Sequence, residues 1–217
     1  MARRKRKVAR NAPKQSRSRE TVHAILEATI RILDREGSDA ASTTRIAEVA
    51  GVSVGTLYQY FENREAIFDA LQDREFERAT EFMAQVLSEA NGCSEQQLAR
   101  AVIEGLLGLY AQSPALHRLL AIEGLRVTPT ERVLAFDTRV VGLIRSFLAT
   151  GHLSIRRDYL DAAAFVIYQS VRATMLARLL EEPPGLHDEA LIEEMTDLVV
   201  RYLVQDPKPT RRKTRRS

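Results

Sequence analysis

Apolar residues recur at intervals of three and four along most of the chain, and no segment alternates convincingly between apolar and polar residues. The first run starts at Arg19 and stops at Gly37, with Val22, Ile25, Leu26, Thr29, Ile30 and Leu33 on one face. This period is that of an amphipathic α-helix, whereas a half-buried strand would alternate. The pattern therefore predicts an all-α protein of about nine helices with no sheet.

Residues that begin or end helices mark the later boundaries. Asn63 is placed to cap a fourth helix that runs to about Ala90, and a helix of about thirty residues spans roughly 40 Å. The later helices are predicted to begin at Ser94, Pro114, Pro129, Asp158 and His187. The fourth helix is long enough to join a small N-terminal domain to a larger C-terminal one.

Two short helices are predicted in the stretch 43–61. The first has apolar residues at helical spacing and stops at Gly51, a residue type that often ends a helix in a left-handed conformation. Ser53 can cap the second helix, in which Leu57 and Phe61 face back toward the first. This arrangement is a helix-turn-helix. An ordinary helical hairpin, whose glycine only ends a helix, is the alternative.

The outward face of the second short helix is small and uncharged. It presents Val54, Gly55, Thr56, Tyr58 and Tyr60. The methyl groups of Val54 and the hydroxyl and methyl of Thr56 suit base edges, while Gly55 lets the helix backbone approach them closely. Tyrosine hydroxyls can donate hydrogen bonds to phosphate, which fixes register without reading sequence. The face therefore predicts DNA binding.

The order Thr-Thr-x-Ile-Ala-x-x-Ala-Gly-Val-Ser-x-Gly-Thr-Leu-Tyr-x-Tyr-Phe from Thr43, followed by Glu62-Asn63-Arg64-Glu65-Ala66-Ile67, closely resembles the DNA-binding domain of the TetR family of bacterial transcriptional regulators. The resemblance runs from about Arg19 to Leu71. It implies phosphate contacts from Thr43 and Tyr60, and contacts to bases or nearby backbone from Thr44, Val54, Gly55, Thr56 and Tyr58.

The start of the fourth helix follows the family pattern less closely. Arg64 stands where the family usually has a lysine, which implies a further DNA contact at this position. Glu62 departs from the lysine or polar residue often found there, so no phosphate contact is assigned to it.

The resemblance also implies that the rest of the chain is a helical domain that dimerises and binds a small hydrophobic effector. The expected effector cavity lies between the fourth helix and the helices that carry Tyr110, His117, Phe136, Phe165 and Tyr168. An apolar pocket with a few polar tips suits such a ligand. Taken singly, each of these residues is of a type and spacing more typical of the core than of a ligand contact.

The last two helices are the expected dimer surface. Their apolar faces include Phe165, Gln169, Ala173, Leu176, Leu191, Met195, Leu198 and Tyr202. Core packing within one chain is the alternative, because the spacing of apolar residues is the same in both cases. A homodimer would require a roughly palindromic operator, and by occluding a promoter it would act as a repressor rather than an activator.

Charge is strongly segregated along the chain, although the net charge is only +3. Residues 1–19 carry nine basic and no acidic residues, and residues 207–217 carry six basic and no acidic ones. We expect a disordered basic arm (1–16), a DNA-binding domain (17–71), an effector and dimerisation domain (72–206) and a basic tail (207–217). An architectural or nonspecific nucleic-acid binder that relies on its tails is the rival function class.

Other chemistry is sparse in the sequence. Cys93 is the single cysteine, which excludes an internal disulfide and fits a reducing cytoplasm. The four histidines fall on separate predicted elements without ligand spacing, and no phosphate loop or nucleophile elbow is present. No apolar run reaches the ~20 residues of a membrane helix. We therefore expect no catalytic residues, metal or cofactor, no membrane contact, and a cytoplasmic protein whose partner is double-stranded operator DNA.

Overall fold

Helices make up almost all of the described chain. The computed structural model describes residues 12–126, 131–151, 159–181 and 183–204, without the side chains of 12–16 and 123–126. These ranges contain nine α-helices and no strand, which confirms the predicted fold class. The helices are α1 (Ala12–Glu36), α2 (Thr43–Ala50), α3 (Val54–Tyr58), α4 (Arg64–Ser88), α5 (Glu95–Gln112), α6 (Pro114–Arg126), α7 (Glu131–Ala149), α8 (Leu160–Glu181) and α9 (Asp188–Leu203), with a 3₁₀ helix (Ser38–Ala40) after α1.

Helix α1 begins earlier than its apolar stripe indicates. It starts at Ala12 rather than Arg19, so the prediction that residues 1–16 form a disordered arm is wrong for residues 12–16. A proline in the first turn costs no hydrogen bond, because the amide there has no partner within the helix. Lysine, glutamine and arginine, which follow Pro13, are good helix formers. Residues 1–11 and 207–217 lie outside the described residues.

The chain divides into two units after Arg74. In the first unit α1 packs against α2 and the 3₁₀ helix, and α2 packs against α3. The buried side chains of this unit include Ile25, Ile32, Ile46, Leu57, Ile67 and Leu71. Each such side chain stabilises the fold by roughly 1.5–3 kcal/mol through loss of contact with water. The apolar side of α2 therefore packs on α1, and α3 packs on α2.

The second unit is a larger helical core. Helix α5 packs on α9, and α7 and α6 both pack on α8. The central buried residues are Ile103, Leu148, Ala164, Ile167, Met175, Leu191, Ile192, Met195 and Val199. A Cβ at Gly105 of α5 would lie 1.9 Å from the ring of Phe82 on α4, so the two helices approach closely there because this glycine has no side chain. Helix α4 supplies residues 64–74 to the first unit and 75–88 to the second.

Candidate functional site

Short-range capping defines the two short helices of the first unit. The Ser42 hydroxyl accepts from the Arg45 amide at the start of α2. Gly51 ends that helix with φ 71°, in the left-handed region. Such caps satisfy amides and carbonyls that have no partner within so short a helix. The turn geometry therefore follows from the residues at its two ends.

Helix α3 presents to solvent the face that the sequence predicts for DNA. Leu57 is fully buried, whereas Val54 is 37% exposed and Tyr58 is 52% exposed. Gly55 is also exposed, and Thr56 is half-buried. An exposed valine and tyrosine on one short helix are available to a partner.

Two hydroxyl contacts fix polar side chains on this face. Thr43 Oγ1 on α2 lies 3.2 Å from the hydroxyl of Tyr58, which brings together predicted DNA contacts from both short helices. Ser53 Oγ accepts from the Thr56 amide at 2.9 Å and lies 2.8 Å from Thr56 Oγ1. Each hydroxyl oxygen has two lone pairs as well as its proton, so these contacts leave capacity for a partner. Of the remaining predicted contacts, Thr44 is exposed and Tyr60 is half-buried.

Gly55 is not required by the fold itself. Its φ lies outside the left-handed region, and an added Cβ would meet only Ser53 Oγ, at an ordinary 3.8 Å. A glycine inside a helix costs roughly 0.5–1 kcal/mol relative to alanine. The bare backbone at this position is therefore a cost to folding, and it leaves room for close approach from outside.

The arginines that flank this face have partners within the unit. Arg64, a predicted DNA contact, donates to the Ser38 carbonyl at 2.7 Å and lies 4.8 Å over the ring of Phe68. It thus ties the start of α4 to the 3₁₀ helix, and its contact with DNA stays a prediction. Arg45 pairs with Glu36 and Glu48 at 2.8 and 2.9 Å.

The ion pair between Arg45 and Glu36 shifts the pKa of both groups. The hydrogen bond from Arg45 lowers the pKa of the Glu36 carboxyl, and the reciprocal hydrogen bond to Glu36 raises the pKa of Arg45. Both groups therefore remain charged at neutral pH, and the guanidinium is occupied by carboxylates rather than free for phosphate.

Gln59 is a candidate that the sequence interpretation passed over. It follows α3 directly with helical dihedral angles and is exposed. It lies four residues after Gly55 and three after Thr56, which places it on the same helical face. That spacing was the available signal. A glutamine side chain can bind adenine through two hydrogen bonds in the major groove.

Comparison with known proteins supports the assignment of the first unit as a helix-turn-helix DNA-binding domain. Residues 25–71 match the family model for bacterial regulatory proteins of the tetR family. Residues 96–203 match the model for the tetracyclin repressor-like C-terminal domain. The chain belongs to the TetR family. The predicted resemblance is confirmed, and it extends over both units.

Individual relatives resemble the chain to different extents. The transcriptional repressor KstR of Rhodococcus jostii is 40% identical over 68 residues, which are 31% of this chain and 30% of that protein. The transcriptional regulator EthR of Mycolicibacterium smegmatis is 26% identical over 186 residues, 81% of this chain and 82% of that one. Among solved structures, FadR from Bacillus subtilis in complex with stearoyl-CoA has TM-score 0.65 at 20% identity, covering 82% of this chain and 97% of that chain.

The structure brings four of the five predicted effector residues near one another in the second unit. The rings of Tyr110 and His117 are 4.9 Å apart, and Phe136 packs with Tyr168 in one cluster. The hydroxyl of Tyr168 donates to a carboxylate oxygen of Asp137. Burial raises the pKa of both tyrosines, and the hydrogen bond to Asp137 adds to the rise at Tyr168.

Phe165 does not join this group, because its side chain is 54% exposed on α8. A cavity of about 80 Å³ is lined by α4, α5, α7, α8 and the end of α9, and none of the five predicted residues lines it. Its lining side chains are Met83, Leu87, Glu95, Leu98, Ala99, Val102, Ile103, Ile144, Phe147, Leu148, Ile167, Val171, Val199, Val200, Leu203 and Val204.

The predicted dimer residues separate into three groups. Phe165, Ala173 and Leu198 are exposed, while Gln169, Leu176 and Tyr202 are half-buried. Leu191 and Met195 are 5% exposed and belong to the core of the unit, so the structure does not place them on a surface. Their packing within the chain is the alternative that the apolar pattern left open.

Within the described part of the chain, no group of three or more His, Cys, Asp or Glu side chains could hold a metal ion. No helix in that part is both long and apolar enough to cross a membrane.

Replacing Gly55 with alanine should separate folding from DNA binding. The free energy of unfolding should stay equal or rise by up to ~1 kcal/mol, because alanine favours the helix and meets no close neighbour. Operator affinity should fall by roughly 1–3 kcal/mol, the usual cost of a lost base contact. Urea unfolding and fluorescence anisotropy measure the two quantities.

Gly51→Ala is the matched control, since its φ of 71° strains an L-residue. It should lower stability by about 1–2 kcal/mol. A Gly55→Ala variant that binds the operator as tightly as the wild type would show that DNA does not approach the backbone there.

Proposed function

We propose that the protein is a sequence-specific DNA-binding transcriptional regulator that acts as a homodimer and responds to a small hydrophobic molecule. The observation that carries the proposal is the face of α3. Its apolar side is fully buried at Leu57, while Val54, Gly55 and Tyr58 are presented to solvent. A surface without charge that is small enough to enter the major groove reads base edges better than it binds phosphate.

Phosphate affinity then has to come largely from hydroxyl groups and from the basic arm. Arg45 and Arg64 are already engaged with partners in the first unit. The hydroxyls of Thr43 and Tyr58, 3.2 Å apart, offer two donors at one place. The basic residues 3–7 precede α1, and an arm of this kind adds affinity that depends on salt but not on sequence.

Exposed apolar side chains on the last two helices support dimerisation. Phe165 and Val166 of α8 are 54% and 40% exposed, and Leu198 of α9 is 52% exposed. Large apolar side chains left exposed on both helices are available to a second copy of the chain. A two-fold dimer places two recognition helices on successive turns of DNA, about 34–36 Å apart, so its operator is an inverted repeat. A dimer bound across a promoter represses transcription by occlusion.

The apolar cavity of the second unit supports an effector that carries an alkyl chain or another apolar group. Glu95 is its one charged lining residue, so the cavity offers little to a polar molecule. FadR from Bacillus subtilis, which has the same fold, was solved with stearoyl-CoA. An effector releases the operator only if it binds the DNA-free conformation more tightly, because equal affinity for both conformations shifts nothing.

Selection from randomised DNA tests the proposed function against the rival nonspecific binder. The full chain should enrich an inverted repeat, and a variant without residues 1–11 and 207–217 should enrich the same repeat with lower affinity. The salt dependence of binding should decrease for the truncated variant because fewer phosphates are neutralised. Loss of sequence preference on truncation would favour the tail-dependent binder.

Thr56→Ala and Tyr60→Phe should both weaken operator binding, but in different ways. Loss of a base contact should cost roughly 1–3 kcal/mol and change the preferred base at one position in each half-site. Loss of a phosphate contact should weaken binding to all sequences alike. Repeating the selection with each variant distinguishes the two, and an unchanged preference for Thr56→Ala would remove Thr56 from the base-reading residues.

Ala99→Leu tests the cavity directly. Ala99 lines the cavity, so three added carbons should fit with a change of less than ~1 kcal/mol in the free energy of unfolding. The matched control is Ala164→Leu, at a fully buried alanine of the same core that does not line the cavity. Overpacking there should cost about 1–3 kcal/mol.

The same variant should lose its response to the effector. Thermal shifts produced in the wild type by a panel of alkyl-chain compounds should be reduced or absent in Ala99→Leu, while operator binding is kept. Ala99→Leu and Ala164→Leu variants of equal stability would argue that the cavity is already filled by neighbouring side chains.

A further inference from the structure

One turn of α4 carries a buried polar contact that the proposed function does not use. Glu75 on α4 and His117 on α6 are each 8% exposed. His117 Nε2 lies 3.6 Å from Glu75 Oε2. Arg78 donates to both carboxylate oxygens of Glu75, at 3.2 and 3.0 Å, and also to the side chain of Gln112 on α5. A buried carboxylate is thus shared between two helices.

The contact made by Nδ1 of His117 shows that this nitrogen carries a hydrogen. Nδ1 lies 2.9 Å from the carbonyl oxygen of Ser113. A backbone carbonyl only accepts hydrogen bonds, so Nδ1 must carry a hydrogen to make this contact. In the neutral imidazole Nε2 would then have no hydrogen, and its lone pair would face the carboxylate of Glu75. The contact is attractive only if Nε2 is protonated as well, which makes the ring an imidazolium.

The surrounding charges are consistent with an ionised Glu75. Burial by itself raises the pKa of this carboxyl, but the hydrogen bond from His117 and the positive charges of Arg78 and His117 outweigh burial and lower it. The ring of Tyr110, on α5, lies against the ring of His117. The positive charge of Arg172, on α8, acts on Tyr110. Glu75 is the anion that these contacts place at the imidazole.

We propose that protonated His117 links α6 to α4 through Glu75, so that the stability of the packing between these two helices depends on pH. The link requires an ionised Glu75 and a protonated His117. Its stabilising effect is therefore lost on the acid side, as pH falls through the lowered pKa of Glu75, and it is absent when the imidazole is neutral. Because α4 begins in the DNA-binding unit, the same proton also tunes operator affinity, a part of the proposal that rests on the proposed function.

Neighbouring contacts on the same turn explain why this position matters. Phe76 stacks on Phe136 of α7, with ring centroids 4.2 Å apart and planes within 6°. Glu75, Phe76 and Arg78 thus contact α6, α7 and α5 in turn, which fixes this part of α4 on three sides. Of these three links, the one to His117 involves an imidazole, the side-chain type that most often changes charge between pH 5 and 8.

His117→Gln tests the link, because glutamine can still donate to Glu75 but does not titrate. Thermal unfolding should be followed from about pH 5.5 to about pH 8.5. The melting temperature of the wild type should fall by about 2–4 °C relative to this variant as pH rises, since only the wild type loses a proton. His187→Gln, at an exposed histidine of the same unit, is the matched control and should parallel the wild type.

Glu75→Gln completes a double-mutant cycle. The coupling between positions 75 and 117 should be present near pH 5.5 and absent near pH 8.5. Wild-type and His117→Gln profiles that remain parallel would overturn the proposal. If a variant does not fold, nitrogen NMR of the wild-type histidines decides instead. Two protonated ring nitrogens on His117 at pH 5.5 are expected, and a neutral ring at that pH would overturn the link.

Operator affinity provides a separate test of regulation. Over the same pH range it should change severalfold for the wild type and remain flat for His117→Gln, relative to His187→Gln. A pH-dependent stability with a pH-independent operator affinity would overturn the regulatory part and leave the link between α6 and α4 intact. Absence of any specific DNA binding would refute the proposed function instead, and the stability and NMR results would still decide the link.

Discussion

The continuity of helix α4 is the constraint on which the rest of the structure depends. Its first residues complete the core of the DNA-binding unit, where Ile67 and Leu71 are fully buried. Arg74 pairs with Glu27 of α1 at 2.8 Å, at the end of that unit. The next residues make the contacts of the second unit. Because α4 is one continuous helix with residues in both units, we propose that a change in its contacts in one unit alters its contacts in the other.

The exposed face of the helix-turn-helix carries groups that differ from those of most nucleic-acid-binding surfaces. Cations usually dominate such surfaces. Here Arg45 lies between Glu36 and Glu48, and Arg64 holds the Ser38 carbonyl. What remains on this face is a set of hydroxyls, a glutamine, a valine and a glycine. We propose that such a face discriminates between sequences, because contacts to base edges depend on sequence, and that the basic ends of the chain provide attraction at long range.

Sequence periodicity was sufficient for the fold because each helix buries a stripe at its own spacing. It also predicted that Val54, Gly55 and Tyr58 lie on the outer side of α3 while Leu57 packs inward. Periodicity could not separate Met195 from Leu198: both lie on the apolar side of α9, yet one is core and the other is exposed. Which part of a stripe is covered depends on neighbouring helices far along the chain.

Side-chain direction was likewise beyond the sequence. Nothing in the spacing indicates that the Arg64 guanidinium turns toward Ser38, or that Phe165 points to solvent while Tyr168, three residues later, is buried. The pairing of His117 with Glu75 joins residues that are far apart in sequence and lie on different helices. Such contacts follow from the packing of helices against one another, which a pattern along one chain does not contain.

Amide hydrogen exchange with and without operator DNA tests the central claim, that α4 carries information between the two units. Slower exchange on DNA binding is expected at α2 and α3, and also in α4 around Glu75–Arg78 and in the facing part of α6 around His117. This pattern would show that DNA binding stabilises contacts made in the second unit. Protection confined to residues 42–61, with unchanged exchange in the second unit, would contradict the account.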